Sequence, residues 1–244
     1  MNNITAIILA AGTGNRLGEL TKNKPKVLLE VNNKALVEYA IDFMKTIGAQ
    51  DIIVVGGYLY QQLVDRVKSY DPKIQLAENK NYQEQNLLSL LAALLLASEA
   101  NLLIGNSDYV FQDHTAAAIS NNLNQLGVYA SFDLSGDDTD VMKVKVDEEG
   151  NLVEMSKTLT DFQAIYIGYF YLPAEVAKEL PKVAAQIIGE YGTKKSTVEY
   201  LFPALIKARY KIKVVDIGQA DWLEIDTPEE LAKAREILDN KTSY

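Results

Sequence analysis

Along the first half of the chain, two kinds of apolar pattern take turns. Short apolar runs at 4–10, 51–56, 73–77, 101–105 and 127–133 predict strands. Between them, apolar residues recur every three or four positions and predict helices over 34–47, 59–69, 86–99 and 113–125. Such alternation predicts a mostly parallel sheet covered by helices. The pattern then changes. "VMKVKVDEEGNLVEMSK" alternates apolar with polar residues about a Glu-Gly turn, which predicts an antiparallel hairpin, and "AIYIGYFYL" reads as a further strand rich in aromatics. Helical spacing resumes at 174–189 and 196–209, "KIKVVDI" predicts a strand, and "TPEELAKAREIL" predicts a helix with Thr227 as N-cap and Pro228 at its first position. No proline- or glycine-rich linker and no internal repeat divides the chain. The expected architecture is a single α/β domain over 1–244, with a Rossmann-like, mostly parallel sheet flanked by helices and a small antiparallel β insertion at about 134–172.

Composition narrows the function. With 244 residues, 48% of them hydrophobic, the chain can bury a substantial core. Thirty-three acids against 24 Lys and Arg give a net charge of −9, which argues against a nucleic-acid surface. Cysteine is absent and His114 is the only histidine, so disulfides, thiolate zinc sites and histidine clusters are excluded and any metal must be held by oxygen. The apolar start "AIILAAG" is too short to span a membrane and lacks a charged flank, so it is neither signal peptide nor anchor, and a cytoplasmic protein is expected.

Against this acidic background, the segment after the first strand is cationic. Gly12 and Gly14 fall where the strand should turn, and Arg16, Lys22, Lys24 and Lys26 follow against one acid, Glu19. Glycines at such a turn tolerate positive φ and let backbone N–H groups approach a phosphate. A Walker loop is ruled out because position 17 is Leu and no Lys-Ser/Thr pair follows. A dinucleotide GxGxxG fails at the same Leu17, since Gly18 comes one residue late, which disfavours a Rossmann dehydrogenase. Pro25 stiffens the lysine-rich stretch and aims Lys26 back towards the loop.

"LAAGTGNRL" followed by "KPKVL" resembles the opening pattern of the nucleotidyltransferases that join an NTP to a sugar phosphate or alcohol phosphate, and the similarity runs through most of the chain. The resemblance implies that the loop Leu9, Ala10, Ala11, Gly12, Thr13, Gly14, Asn15 wraps a nucleoside triphosphate whose oxygens Arg16 and Lys26 bind. Cations there stabilise the charge that builds on the phosphoryl oxygens and the departing pyrophosphate. Such transfer normally uses Mg²⁺, and the family's metal-binding acids match Asp108, after the strand "NLLIG", and Asp226, in "EIDTPEEL". Asn106 stands where many members carry another acid. An Asx turn into the last helix is the alternative for Asp226, and Glu224 suits either a supporting place near the metal or an exposed strand.

"NKNYQEQNLLSLL" resembles the Asn-x-x-Ser-Leu segment of cytidylyltransferases acting on inositol phosphate or phosphocholine. This implies a nucleotide-site role for Asn86 and Ser89, although Asn86 also suits a helix start. Tyr58 fits a similar position after the second strand. Lys157 resembles the lysine that holds the acceptor's phosphate in line with the α-phosphate. Tyr166, Tyr169 and Tyr171 suit either an aromatic cage for a quaternary ammonium or the core. The expected activity is CMP transfer from CTP to a small phosphomonoester of the inositol-1-phosphate or phosphocholine type, without a general base and without His114. The alternatives are a UTP- or dTTP-dependent transfer to a hexose-1-phosphate, and a catalytically silent nucleotide-binding regulatory protein.

Overall fold

The computed structural model describes residues 3–97, 100–111, 113–134, 141–218 and 222–241. Strand β1 (Ile4–Leu9) leads through the glycine loop into two 3₁₀ turns, Asn15–Thr21 and Lys26–Leu28. A small hairpin, β2 (Glu30–Val31) and β3 (Lys34–Ala35), precedes α1 (Leu36–Ile47). Next come β4 (Asp51–Gly56), α2 (Tyr60–Tyr70), β5 (Gln75–Glu78), α3 (Leu87–Leu94), β6 (Asn101–Asn106), β7 (Tyr109–Phe111), α4 (Asp113–Ser120) and β8 (Gly127–Ser131). The second half holds the hairpin β9 (Lys143–Val146) and β10 (Leu152–Ser156), then β11 (Ala164–Leu172), α5 (Ala174–Ala177) and α6 (Leu180–Tyr191). A 3₁₀ turn at Val198–Tyr200 precedes α7 (Leu201–Lys207), β12 (Lys213–Asp216), β13 (Trp222–Glu224) and α8 (Pro228–Lys241).

Among the described residues, nine strands join one sheet in the order β10-β9-β11-β6-β1-β4-β5, with β8 also on β11 and β12 on β8. Strands β6, β1, β4 and β5 are parallel neighbours, whereas β11 runs antiparallel to β6, β8 and β9. Burial on both faces explains the unbroken apolar runs of the central strands. In β1, Ile7 and Leu9 join the core under α3 and α6, while Ala6 and Ile8 join the core under α1, α2 and α4. The chain moves outward from β1 through β4 to β5, then returns to place β6 on the other side of β1. That reversal opens a crevice beyond the carboxyl ends of β1 and β6, where Leu9 and Asn106 are register partners.

The differences from the sequence expectations have local causes. The first helix begins at Leu36 rather than 34, because Lys34 and Ala35 pair with Val31 and Glu30. The pattern at 86–99 gives a described helix only to Leu94, with 98 and 99 outside the described residues. Helical spacing at 174–189 divides between α5 and α6, and that at 196–209 between a 3₁₀ turn and α7. In the expected insertion, 135–140 lie outside the described residues. Of the remainder, β9 and β10 form the hairpin, but β11 is integral to the main sheet. Strands β7 and β13 were not expected at all; each is three residues long and they pair only with one another. Among the described residues no helix is long and apolar enough to cross a membrane.

Candidate active site

The glycine loop forms one wall of a cleft of about 410 Å³ at the crevice between β1 and β6. Leu9, Ala10, Ala11, Gly12, Thr13, Gly14, Asn15, Arg16 and Lys26 all line it, as do Asn86, Ser89, Asp108 and Asp226. The two glycines serve different ends. Gly14 has φ 68°, and a Cβ there would lie 2.8 Å from Lys26 Cβ, so its bare backbone lets the loop close onto Lys26. Gly12 has no positive φ, contrary to expectation, and an added Cβ would meet nothing within 4 Å. Its lack of a side chain keeps the cleft floor open.

Lys26 is the centre of the site's charge. Its ammonium donates to Asp108 Oδ2 at 2.8 Å and to Asp226 Oδ1, while Arg16 pairs with the other Asp226 oxygen. Burial by itself would lower the Lys26 pKa, but the Asp108 and Asp226 charges outweigh it and hold the ammonium above its usual value. Local folding supplies these carboxylates. Asp108 sits in the two-residue break between β6 and β7, and its carbonyl accepts the Ile225 N–H at 3.0 Å, tying that break to the segment after β13. Ser107 Oγ donates to the Leu9 carbonyl at 2.8 Å, fixing the ends of β6 and β1. A small core of Leu17, Leu29, Val31, Leu36, Val110, Ile225, Leu231 and Ala234 packs the loop, β7 and α8 together.

Capping of α8 does not use the Asp226 carboxylate. The Glu230 carboxylate accepts the Asp226 and Thr227 N–H groups at 2.7 and 2.8 Å, and Thr227 Oγ1 accepts the Glu230 N–H at 3.2 Å. Thr227 and Glu230 cap the helix, and the Asp226 carboxylate faces Lys26 and Arg16. Glu224 joins Asp108 and Asp226 in a cluster whose carboxylate oxygens lie within 4.8 Å of one another. Burial first, then the Asp108 and Asp226 charges, push the Glu224 carboxyl up to about 7. This cluster fits a hard divalent cation. Its donors are all oxygen, and Asp108 Oδ1 is buried with no hydrogen-bond donor. Asn106 does not displace Asp108 from the cluster.

The other expected residues divide. Ser89 is buried and accepts a hydrogen bond from Asn79 Nδ2 at 3.0 Å. Asn86 precedes α3, but its side-chain oxygen accepts the Val198 N–H at 2.9 Å instead of capping the helix. Tyr58 does not line the cleft; its hydroxyl donates to the Lys22 carbonyl at 2.6 Å and its ring lies 6.0 Å from that of Tyr82, which does. Tyr82, Glu84 and Gln85 are cleft residues that the sequence reading passed over, although the polar stretch before α3 held them.

Lys157 lines a separate pocket of about 140 Å³ that shares Asn106 with the cleft and also touches Glu199 and Glu224. Of the three strand tyrosines, Tyr166 lines this pocket, whereas Tyr169 and Tyr171 are buried in the core on the opposite face. Gly168, at φ 76°, makes room there: a Cβ would lie 2.8 Å from Asn106 Nδ2, and the β11 register against β8 shifts at this point. His114 is exposed on α4 and lines neither cavity.

Comparisons with known proteins identify the family and the fold. The sequence profile described as the MobA-like NTP transferase domain matches residues 6–141. The chain is 32% identical over 188 residues to a 2-aminoethylphosphonate cytidylyltransferase of Lancefieldella rimae, covering 77% of this chain and 74% of that protein. It is 28% identical to a choline-phosphate cytidylyltransferase of Streptococcus pneumoniae, covering 97% of this chain and 99% of the relative. The solved inositol-1-phosphate CTP transferase from T. maritima superposes with a TM-score of 0.83 at 21% identity, over 100% of this chain and 98% of the other, which establishes a shared fold.

Proposed function

The chain belongs to the MobA-like NTP transferase domain family, and from that premise we propose that it transfers CMP from CTP to a small alcohol or polyol phosphomonoester, in the cytoplasm. A phosphate oxygen of the acceptor attacks the α-phosphorus, the bond from that phosphorus to the bridging oxygen breaks, and pyrophosphate leaves with the electron pair. The observation that carries this reading is the Lys26 ammonium shared between Asp108 and Asp226 at the mouth of a glycine-lined cleft. Cytidine is favoured by the cytidylyltransferase relatives.

In this reading the loop backbone from Leu9 to Asn15 receives the triphosphate, and Arg16 and Lys26 leave their carboxylates to meet its charge. Lys157 holds the acceptor's phosphate, and the acceptor is already anionic, so no general base is required. Asp108 and Asp226, with Glu224 beside them, would hold Mg²⁺, which supplies positive charge to the phosphates when bound.

The test is pyrophosphate release by the purified protein with CTP, UTP, dTTP, GTP and ATP against phosphocholine, inositol-1-phosphate and glucose-1-phosphate, with and without Mg²⁺. Mg²⁺-dependent turnover with CTP and an alcohol phosphate, abolished by Asp108→Ala, is the expected result. Turnover confined to a hexose phosphate with UTP or dTTP would sink the cytidine reading, and nucleotide binding without turnover on any acceptor would sink the enzyme.

A further inference from the structure

The cleft behind the glycine loop and the pocket holding Lys157 meet at one side chain. Among the described residues, Asn106 alone lines both cavities. It is the last residue of β6, in register with Leu9, where β1 gives way to the glycine loop. Its backbone is fixed, because its carbonyl accepts the Tyr169 hydroxyl at 3.1 Å. Its amide is seated against Gly168, where a Cβ would lie 2.8 Å from Nδ2 and 3.4 Å from Cγ. Any side chain at position 168 would therefore push the amide aside, so the bare backbone there is what leaves Asn106 in place.

In the transfer reading above, on which this inference rests, the α-phosphate occupies the cleft and the acceptor's phosphate comes from the pocket. The two must touch at the wall the cavities share. Both are anions and repel one another. A carboxylate at position 106 would repel both, and the oxygen cluster already holds three carboxylates, those of Asp108, Glu224 and Asp226, without it. A primary amide is uncharged, and its nitrogen carries two hydrogens that point in different directions. We propose that Asn106 is a catalytic residue of the transfer: its Nδ2 donates one hydrogen bond to an α-phosphate oxygen and the other to an oxygen of the acceptor's phosphate. The amide holds nucleophile and phosphorus together, and its bond to the α-phosphate strengthens as charge builds there during attack. No proton changes hands, and the asparagine is unaltered after turnover.

The experiment measures kcat, KM and melting temperature for the wild type, Asn106→Ala and the isosteric Asn106→Asp, with Mg²⁺ and each acceptor that the wild type turns over. Asn106→Ala should lower kcat about 10²-fold or more, while nucleotide affinity without acceptor stays within about threefold and the melting temperature within about 2 °C. Asn106→Asp, which trades the donors for a charge, should lose at least as much and should not recover in excess Mg²⁺ or Mn²⁺. A kcat within about threefold of wild type in Asn106→Ala, or an aspartate variant that matches the wild type or is restored by excess metal, would overturn the proposal. A second readout needs no turnover. Trp222, the chain's one tryptophan, lines the pocket, so its fluorescence can follow inorganic phosphate. The protein is loaded with Mg²⁺ and the unreactive α,β-methylene analogue of the nucleotide it binds most tightly. Phosphate should then bind saturably, and about tenfold more weakly in both variants. If this holds while no acceptor yields pyrophosphate, the transfer reading fails and the shared hold on two phosphates stands. Equal phosphate affinity in all three proteins, or no saturable response, overturns the inference whatever the pyrophosphate assay reads.

Discussion

Replacing Lys26 with methionine tests the charge logic of the site most directly, since the side chain keeps its length and loses only its ammonium. The Lys26 side chain is 8% exposed, and its ammonium lies 2.8 Å from Asp108 and against Asp226. At an effective dielectric near 20, an opposite charge at 4 Å contributes about 4 kcal/mol, much of it offset by desolvation. Removing one partner of such a buried pair costs about 3–5 kcal/mol, because the carboxylates remain without compensation. For a protein of this size the loss corresponds to a melting temperature lower by about 6–20 °C in EDTA at pH 8. The loss should shrink from pH 8 towards pH 5, as the Glu224 carboxyl beside those carboxylates takes up its proton. Lys26 itself contributes nothing to that pH dependence: its folded pKa is raised, so its stabilisation is complete below the unfolded value of 10.5 and is lost only above it. Mg²⁺ should restore the variant more than the wild type, since it meets no competing ammonium, while turnover stays about 10²–10³-fold down. Differential scanning fluorimetry and pyrophosphate release provide both readouts. A variant melting within about 2 °C of wild type in EDTA at pH 8 would refute the reasoning.

Three further outcomes follow from the same geometry. Gly14→Ala should lose about 1–2 kcal/mol of stability in urea denaturation, from its positive φ and its contact with Lys26, whereas Gly12→Ala should stay within about 0.5 kcal/mol but raise the KM for CTP. Thr227→Ala should cost about 1 kcal/mol through the lost helix cap with activity kept within a few fold, whereas Asp226→Asn should lower turnover at least 10²-fold; equal activity losses would refute the separation of cap from site. For Glu224, a folded pKa of about 7 against 4.5 means that the folded protein binds the extra proton between those values. Metal-free stability should therefore fall as pH rises through that window, by roughly 3 kcal/mol, and Glu224→Gln should flatten the fall; parallel urea-denaturation profiles in EDTA would refute it.

The central strands were legible because burial on both faces leaves an unbroken apolar run, as in Ala6 through Leu9. The glycine loop was legible because backbone approach and clustered cations leave a short, dense signature. Strands β7 and β13 were not legible: three residues are too few for a period, and their pairing joins positions more than a hundred residues apart. Glu224 was uncertain for the same reason, since its place in the carboxylate cluster depends on that pairing. Glu199 and the pocket role of Tyr166 were hidden, because a 3₁₀ turn has no apolar period and a strand tyrosine reads alike on either face; only the fold separates Tyr166 from Tyr169 and Tyr171.

That pairing also explains how an acidic chain carries a cationic loop. Asp108 lies 82 residues from Lys26 and Asp226 lies 200 residues from it, and β7, β13 and the α8 cap bring both onto one ammonium. Without a ligand the loop's cations and the strand-end carboxylates neutralise each other, so the cleft presents little net charge. A bare anion would have to displace Asp108 and Asp226 from Lys26, and a bare cation would have to displace Lys26 from them. A triphosphate with its divalent cation replaces both halves at once, anion for the cations and cation for the carboxylates. The arrangement therefore favours the metal–nucleotide pair over either component alone, and the affinity for CTP with Mg²⁺ should exceed what the two separate affinities imply.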